Sequence, residues 1–293
     1  MLAEFRLQLQ QPRGDRNRLM LKLVARIDEQ RGVGVSEHSE SERLLILLAL
    51  RENARNASDA KLPQSIQLQN LYFALATALP PARLTDLFKR GTHTFEGACE
   101  TALLLRFPAG QLSWVRDGLP RRTLLQVSHR DALKLVWRAA RHLKGFAPAY
   151  FTHANGFRHN RFTMVELEAR RSYVRMASAM RGEPDVLGIV TISWYHDPDL
   201  IRVSPHLAWM NGIVEEGGGV VIAGGPATTD SGTFENSASR REAAATGDYV
   251  PREGIVLWPR AQLLRWADRQ NDVDDDAPML KRLHKMLNSA GVV

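Results

Sequence analysis

The feature that most constrains the fold is a change of pattern after residue 145. Before it, apolar residues recur at helical spacing, as in SIQLQNLYFALATAL (65–79), and the segments end at proline or glycine. After Pro148, short runs rich in β-branched and aromatic residues alternate with helical segments, and VLGIVTISWY (186–195) is the strongest of these runs. Such alternation is typical of a mixed or parallel sheet flanked by helices.

We therefore predict an α/β protein, with an α+β arrangement as the alternative. A mainly helical region, residues 1–145, is expected to pack on an α/β part, residues 146–293, that has a mixed sheet and carries the functional site. Within the second part, GGVVIA (218–223) and GIVLW (254–258) are further predicted strands.

The balance of charge limits the partners that the protein can attract. The chain has 39 Lys and Arg against 32 Asp and Glu, a formal net charge of +7, and arginine predominates among the cations. Nucleic acid, a phosphorylated cofactor or an acidic carrier protein could each respond to this charge. By spacing, Arg138 shares a helix face with Arg141, and Arg171 shares one with Arg175, while Trp137 lies beside the first pair. Solvated helix faces are the alternative interpretation.

The sequence predicts neither a membrane span nor a secretory signal. Its longest apolar run, LLILLAL (44–50), is far shorter than the roughly 20 residues that cross a bilayer. The first residues lack the apolar core of a signal peptide. A single cysteine, Cys99, excludes an intrachain disulfide and zinc sites of the CxxC type. We expect a basic, cytoplasmic protein of bacterial type for which no metal is needed.

A glycine-rich stretch, GGGVVIAGGPATTDSG (217–232), follows on from one of the predicted strands. Gly224 and Gly225 have no Cβ atoms, so the backbone there could approach a ligand closely. Hydroxyl side chains that could donate hydrogen bonds come next: Thr228, Thr229 and Ser231. The following predicted helix starts with amides that favour an anion. That helix carries two cations that could pair with a ligand's charge: Arg240 and Arg241. A tight surface turn is the alternative, because Gly-Gly-Pro also suits a turn.

The order of elements over residues 186–258 resembles the acyl-CoA-binding half of a GNAT acyltransferase. SASRREAAATGDYVPREGIVLW (237–258) is similar to that family's second motif, in which a polar residue opens a helix that ends at glycine before a final strand. The resemblance implies an acyl-CoA or acyl-carrier thioester as substrate and an amine as the acceptor. It also implies that Gly224 and Gly225 hold the pyrophosphate. The family's general-acid tyrosine corresponds to Ala243 here, so Tyr249 is the candidate for that role.

Residues suited to acid–base chemistry follow the strongest predicted strand. The segment SWYHDPDLIRVSPHLAW (193–209) places His196 and Asp197 at the carboxyl end of that strand, where open α/β sheets bind ligands. His196 could take the proton of the amine acceptor, with Asp197 orienting its ring. The alternative is that Asp-Pro-Asp is only a turn.

Two other functions remain open from the sequence. The first is a non-catalytic nucleic-acid-binding protein that uses the arginine-rich helix faces. The second is a metal-dependent hydrolase centred on His196, with His153 and His159 as further ligands, although their spacing matches no common metal motif.

Overall fold

The computed structural model of the chain describes residues 22, 24–27, 29, 40–54, 62–78, 93–102, 104–127, 129–145, 149–154, 165–227, 237–270, 281 and 285. The chain divides into two compact units. The first unit comprises Met1–Pro108, Asn155–Thr163 and Asp276–Val293, and the second comprises Ala109–Ala154 and Met164–Asp275.

The first unit is helical over most of its described residues. It contains α1 (Glu40–Ala54), α2 (Gln64–Ala78) and α3 (His93–Ala102), and α1 contacts both of the others. Apolar side chains from these helices form a small core, in which Ile46 and Ile66 are fully buried. The predicted helix at 65–79 is therefore observed, as α2. The unit also contains a two-residue strand, β1 (Phe107–Pro108).

The second unit alternates strands with helices. Its first half contains β2 (Leu112–Arg116), α4 (Thr123–Gln126), α5 (His129–Leu143), β3 (Tyr150–Ala154), α6 (Glu166–Arg181) and β4 (Gly188–Ser193). A 3₁₀ turn (Trp194–His196), α7 (Leu200–Val203), a second 3₁₀ turn (Pro205–Leu207) and α8 (Trp209–Glu216) follow β4. The unit continues with β5 (Val220–Pro226), α9 (Ala238–Ala245), β6 (Arg252–Pro259) and α10 (Arg260–Asp268).

The strands of the second unit form one mixed sheet with the order β2-β3-β4-β6-β5. The predicted α/β class is confirmed, and the strands predicted at 218–223 and 254–258 are found in β5 and β6. Strands β3 and β4 are parallel, whereas β2 with β3, β4 with β6, and β5 with β6 are antiparallel. It follows that β3, β4 and β5 all run in the same direction and that their carboxyl ends reach the same edge of the sheet.

The strand β2 lies in FPAGQLSWVRDGLPRRT (107–123), a stretch that the sequence predicts as a hairpin or loop within the mainly helical region. It pairs with β3 over five residues, from Leu112 opposite Ala154 to Arg116 opposite Tyr150. Both strands belong to the second unit, which begins at Ala109.

Helices cover both faces of the sheet in the second unit. On one face, Ile255 and Leu257 of β6 pack in a cluster with α5. Because side chains alternate along a strand, Trp258 points to the other face. There its ring centroid lies 5.1 Å from the rings of Tyr173 in α6 and Trp266 in α10. None of the helices in the described parts of the chain is long and apolar enough to cross a membrane.

Candidate functional site

The residues predicted from the sequence come together at one edge of the sheet. His196 and Asp197 follow the carboxyl end of β4, Gly224 and Gly225 lie near the carboxyl end of β5, and Tyr249 precedes the first residue of β6. Since β6 runs opposite to β4 and β5, its beginning is at that same edge. The carboxyl ends of strands are the usual position of ligands in open α/β sheets.

The turn after β4 is packed tightly against β6. The Ser193 hydroxyl accepts a hydrogen bond from the Tyr195 amide at 3.3 Å and so caps the 3₁₀ turn. His196 and Asp197 are both buried. A Cβ atom on Gly254 would lie 1.9 Å from the carbonyl oxygen of His196. The close approach of these two backbones therefore requires glycine at position 254.

Asp197 is a buried hydrogen-bond acceptor that joins this turn to the start of β6. Its Oδ2 accepts from the Tyr249 hydroxyl at 2.8 Å and from the Arg252 amide at 3.0 Å, and its Oδ1 accepts from the Asp199 amide at 3.0 Å. Burial, and then the hydrogen bond to Asp197, raise the pKa of Tyr249. Tyr249 therefore keeps its proton and serves as a donor to Asp197.

His196 has a different partner from the one that the sequence predicted. Its Nδ1 lies 2.9 Å from Oδ1 of Asn211, and Nδ2 of Asn211 lies 3.5 Å from the carbonyl oxygen of His196. An amide oxygen only accepts, so Nδ1 carries the proton and Nε2 keeps its lone pair. Burial lowers the pKa of His196 to about 4, and the hydrogen bond that its ring donates to Asn211 opposes this only in part. At neutral pH the ring is uncharged.

Sequence reasoning missed Asn211, which lies on α8. The helix contacts the turn after β4, and this packing brings the amide to His196. No local pattern links the two residues, because their distance depends on how α8 lies beside the sheet.

Gly224 and Gly225 are both close to other parts of the backbone. A Cβ atom on Gly225 would lie 2.0 Å from the carbonyl oxygen of Gln126, at the end of α4. A Cβ atom on Gly224 would lie 2.6 Å from the carbonyl oxygen of Glu253. Packing alone accounts for both glycines, and their contact with a pyrophosphate stays a prediction. The hydroxyl residues expected to assist them lie outside the described residues: Thr228, Thr229 and Ser231.

The two cations of α9 have different surroundings. The helix is capped as expected, because the Ser237 hydroxyl accepts from the Arg240 amide at 3.2 Å. The guanidinium of Arg240 is buried, with its Cζ 4.7 Å from the ring centroid of Trp194, and it donates to the Ser204 hydroxyl at 3.2 Å. Arg241 is exposed. Of the two, only Arg241 lies at the surface. That either arginine pairs with the charge of a ligand stays a prediction.

The registered pairing of the parallel strands β3 and β4 is short and ends before this same edge. Their backbones pair at only two positions, Tyr150 with Ile189 and Phe151 with Val190. At the next position along each strand, the buried Thr191 hydroxyl donates to the carbonyl oxygen of Thr152 at 2.9 Å. Beyond this bond, the ends of β3 and β4 have no registered pairing with each other. We call this gap the β3–β4 opening. It lies at the only parallel pair of neighbouring strands registered among the described residues.

The arginines expected to form one anion-binding surface are not equivalent. On α5, the guanidinium carbons of Arg138 and Arg141 lie 5.1 and 5.0 Å from the ring centroid of Trp137. On α6, Arg171 is ion-paired within its own helix, and Arg175 is buried. Arg175 is therefore not part of a surface, and the exposed aromatic side chain lies with the pair on α5.

Only some of the metal ligands predicted for the hydrolase alternative lie within the described residues. His159 lies outside the described residues, and only the backbone of His153 is described. Within the described parts of the chain, no three His, Cys, Asp or Glu side chains are grouped so that they could hold a metal ion. Comparison with protein-family models, with curated proteins and with solved structures gave no match for this chain.

Proposed function

We propose that the protein is an acyltransferase that moves an acyl group from an acyl thioester to an amine acceptor, in the manner of the GNAT superfamily that its sequence resembles. The observation that carries this proposal is the β3–β4 opening. A gap between parallel strands in the interior of a mixed sheet is a natural binding position for an extended, amide-bearing chain.

The registered pairing of β3 and β4 ends at a fixed position, after Phe151 and Val190. An extended chain could bind beyond this position as an additional strand would, through main-chain hydrogen bonds. The pantetheine arm that carries biological acyl thioesters is an extended chain with two amide groups. Bound in the opening, it would approach the bond between Thr191 and Thr152, where the strands meet.

The reaction itself needs little covalent chemistry from the protein. The amine nitrogen attacks the thioester carbonyl carbon, the carbon–sulfur bond breaks, and the thiol leaves with the electron pair of that bond. The amine loses one proton, which passes to a base and then to the departing thiolate. Backbone amides at the opening would stabilise the negative charge that develops on the carbonyl oxygen.

His196 is the proposed proton acceptor, with its ring orientation set by Asn211. The proton on Nδ1 is held toward Asn211, so Nε2 is the accepting nitrogen. Because burial lowers the pKa of His196 to about 4, the ring is uncharged at neutral pH and Nε2 carries the lone pair that would accept the proton. Asp197 and Tyr249 act as positioning residues in this proposal, because their hydrogen bond holds the turn that carries His196.

Calorimetric titration with coenzyme A, with pantetheine alone and with adenosine 3′,5′-bisphosphate tests the proposal. We expect coenzyme A and pantetheine both to bind, because the opening would hold the amide-bearing arm. In parallel, release of free thiol from acetyl-coenzyme A would be followed with a panel of primary amines. A folded protein that binds neither coenzyme A nor pantetheine and releases no thiol would refute the proposed function.

A further inference from the structure

The outer side of α5 carries large apolar side chains that the fold leaves exposed. Leu133 is 75 % exposed, Trp137 is 53 % exposed and Val136 is 42 % exposed. Their spacing places them on one side of the helix. The opposite side of α5 is buried against the sheet. The helix therefore has a second apolar stripe, which contributes nothing to the core. Contiguous exposed apolar residues of this kind mark binding surfaces.

Cations surround this stripe. Arg141 and Lys144 are exposed, and Arg138 and Arg141 both lie at the ring of Trp137. The only acidic residue in the sequence of α5 is Asp131, which is ion-paired with Lys134 at 3.5 Å. We call the exposed stripe together with these cations the α5 surface. It is complementary to a partner that presents acidic side chains around an apolar contact.

The α5 surface begins at the edge of the sheet that carries the opening. The short helix α4 comes directly before α5, and its last residue, Gln126, contacts Gly225 at the carboxyl end of β5. Leu125, next to it, is 88 % exposed. Because β3, β4 and β5 end at the same edge, a partner seated on α4 and α5 lies at the edge of the sheet that carries the β3–β4 opening.

The chemistry of the surface favours a protein partner over a nucleic acid. Single strands bind mainly through phosphate contacts and through bases that stack on free aromatic faces. Here two guanidinium groups already lie at the ring of Trp137. A phosphate backbone also offers no apolar group that could pack against Leu125, Leu133 and Val136. An acidic protein helix with an apolar side chain at its centre satisfies both the cations and the stripe.

We propose that the α5 surface docks an acidic acyl-carrier protein, and that the acyl donor is therefore a carrier-bound thioester. This inference rests on the proposed function, because it names the donor of that reaction. The carrier would hold its thioester on a pantetheine arm and deliver it at the edge where the β3–β4 opening lies. The cations would steer the carrier into place, and the apolar stripe would keep it bound.

The experiment measures binding of a purified type II acyl-carrier protein in its holo form to the full chain, by calorimetry. Two variants reverse one charge each: Arg141→Glu on the α5 surface and Arg265→Glu on α10, which is also exposed but lies on the opposite face of the sheet. We expect Arg141→Glu to weaken binding by about tenfold or more and Arg265→Glu to change it by less than about twofold. Both variants should melt at the wild-type temperature, since each side chain is exposed.

A third variant, Leu133→Asp, tests the apolar stripe and should also weaken binding without changing the melting temperature. No binding of the holo carrier to the wild type, or equal loss in both charge variants, would overturn the docking proposal. So would a mixed oligonucleotide pool that binds through Arg141 with a steep salt dependence while the carrier does not bind.

Transfer from acetyl-coenzyme A, measured on the same preparations, separates this proposal from the proposed function. Transfer without any carrier binding overturns docking and leaves the acyltransferase in place. Carrier binding that is lost in Arg141→Glu, with no transfer from either donor, supports docking and refutes the enzyme.

Discussion

The two edges of β4 differ in how far they are paired. On the β6 side the ladder has six registered pairs, from Gly188 opposite Pro259 to Ser193 opposite Gly254. On the β3 side it has two. The turn that carries His196 and Asp197 packs against the β6 side, which we call the closed side; the β3 side, with its short registered pairing, is the open side. His196, the proposed proton acceptor, thus lies beside the long ladder, and the proposed thioester site lies at the short one.

The largest loss of stability should follow a substitution at Gly254, where β6 and the turn after β4 are closest. Gly254→Ala places a Cβ atom 1.9 Å from the carbonyl oxygen of His196, so the turn must move away from β6. We expect the free energy of unfolding to fall by about 4 kcal/mol or more, measured by denaturant titration. Gly212→Ala is the matched control, because nothing lies within 4 Å of its Cβ position. Equal stabilities in the two variants would show that the closed side is not tightly packed.

Lowering the pH should reduce the free energy of unfolding, because His196 is buried uncharged on the closed side. In the unfolded chain the imidazole takes up a proton near pH 6.5, whereas the buried ring does so only near pH 4. Between these values the unfolded state binds more protons, so stability falls as the pH is lowered. The loss should reach about 3 kcal/mol below pH 4. Urea titrations from pH 7.5 to pH 4 should show this loss in the wild type and a smaller one in His196→Gln. Parallel curves for both proteins would contradict the burial of His196.

Removing one of the hydrogen-bond donors that face Asp197 should lower the stability by a smaller amount. Tyr249→Phe leaves the buried carboxylate with its two amide donors, at an expected cost of about 2 kcal/mol. Tyr173→Phe is the control, since the hydroxyl of Tyr173 has no hydrogen-bond partner within the described residues. For a positioning role, thiol release per folded molecule should persist in Tyr249→Phe. A loss of turnover with unchanged stability would instead make Tyr249 the general acid that the sequence suggested.

The open side should show the smallest change in stability and the clearest change in binding. Thr191→Val removes the hydrogen bond to Thr152, at a cost of about 1 kcal/mol. Because this bond lies where the registered pairing of β3 and β4 ends, the affinity for pantetheine should drop several-fold. Thr123→Val is the control: its buried hydroxyl has no partner in the described part of the chain, and it lies on α4 rather than in the ladder. If both variants bind pantetheine like the wild type, the opening is not the thioester site.

The sequence predicted the elements better than the contacts between them. Strands β4, β5 and β6 were recognisable because their runs of β-branched and aromatic residues are bounded by glycine, proline or polar residues. Strand β2 was predicted as part of a hairpin or loop at 107–123, but not as a member of the large sheet. Its pairing with β3 is a tertiary contact, which no local window contains.

The candidate site was predictable in position and not in detail. His196, Asp197 and Tyr249 do meet at one edge, as expected from the ends of strands. The partner of the imidazole was not foreseeable, because Asn211 comes from a separately packed helix. Gly224 and Gly225 illustrate the limit, since a glycine needed for a ligand and one needed for a neighbouring carbonyl look the same in a sequence.

The long ladder between β4 and β6 also has a consequence for the newly made chain. Roughly 60 residues separate the end of β4 at Ser193 from the start of β6 at Arg252. At about 5–20 residues per second, translation of that interval takes about 3–12 s. Throughout it, the strand that carries Ile189 and Val190, both fully buried in the finished fold, has no partner on its β6 edge. A strand whose central residues are fully buried in the finished fold is thus made several seconds before its β6 neighbour, and we expect nascent chains stalled before residue 252 to be prone to aggregation.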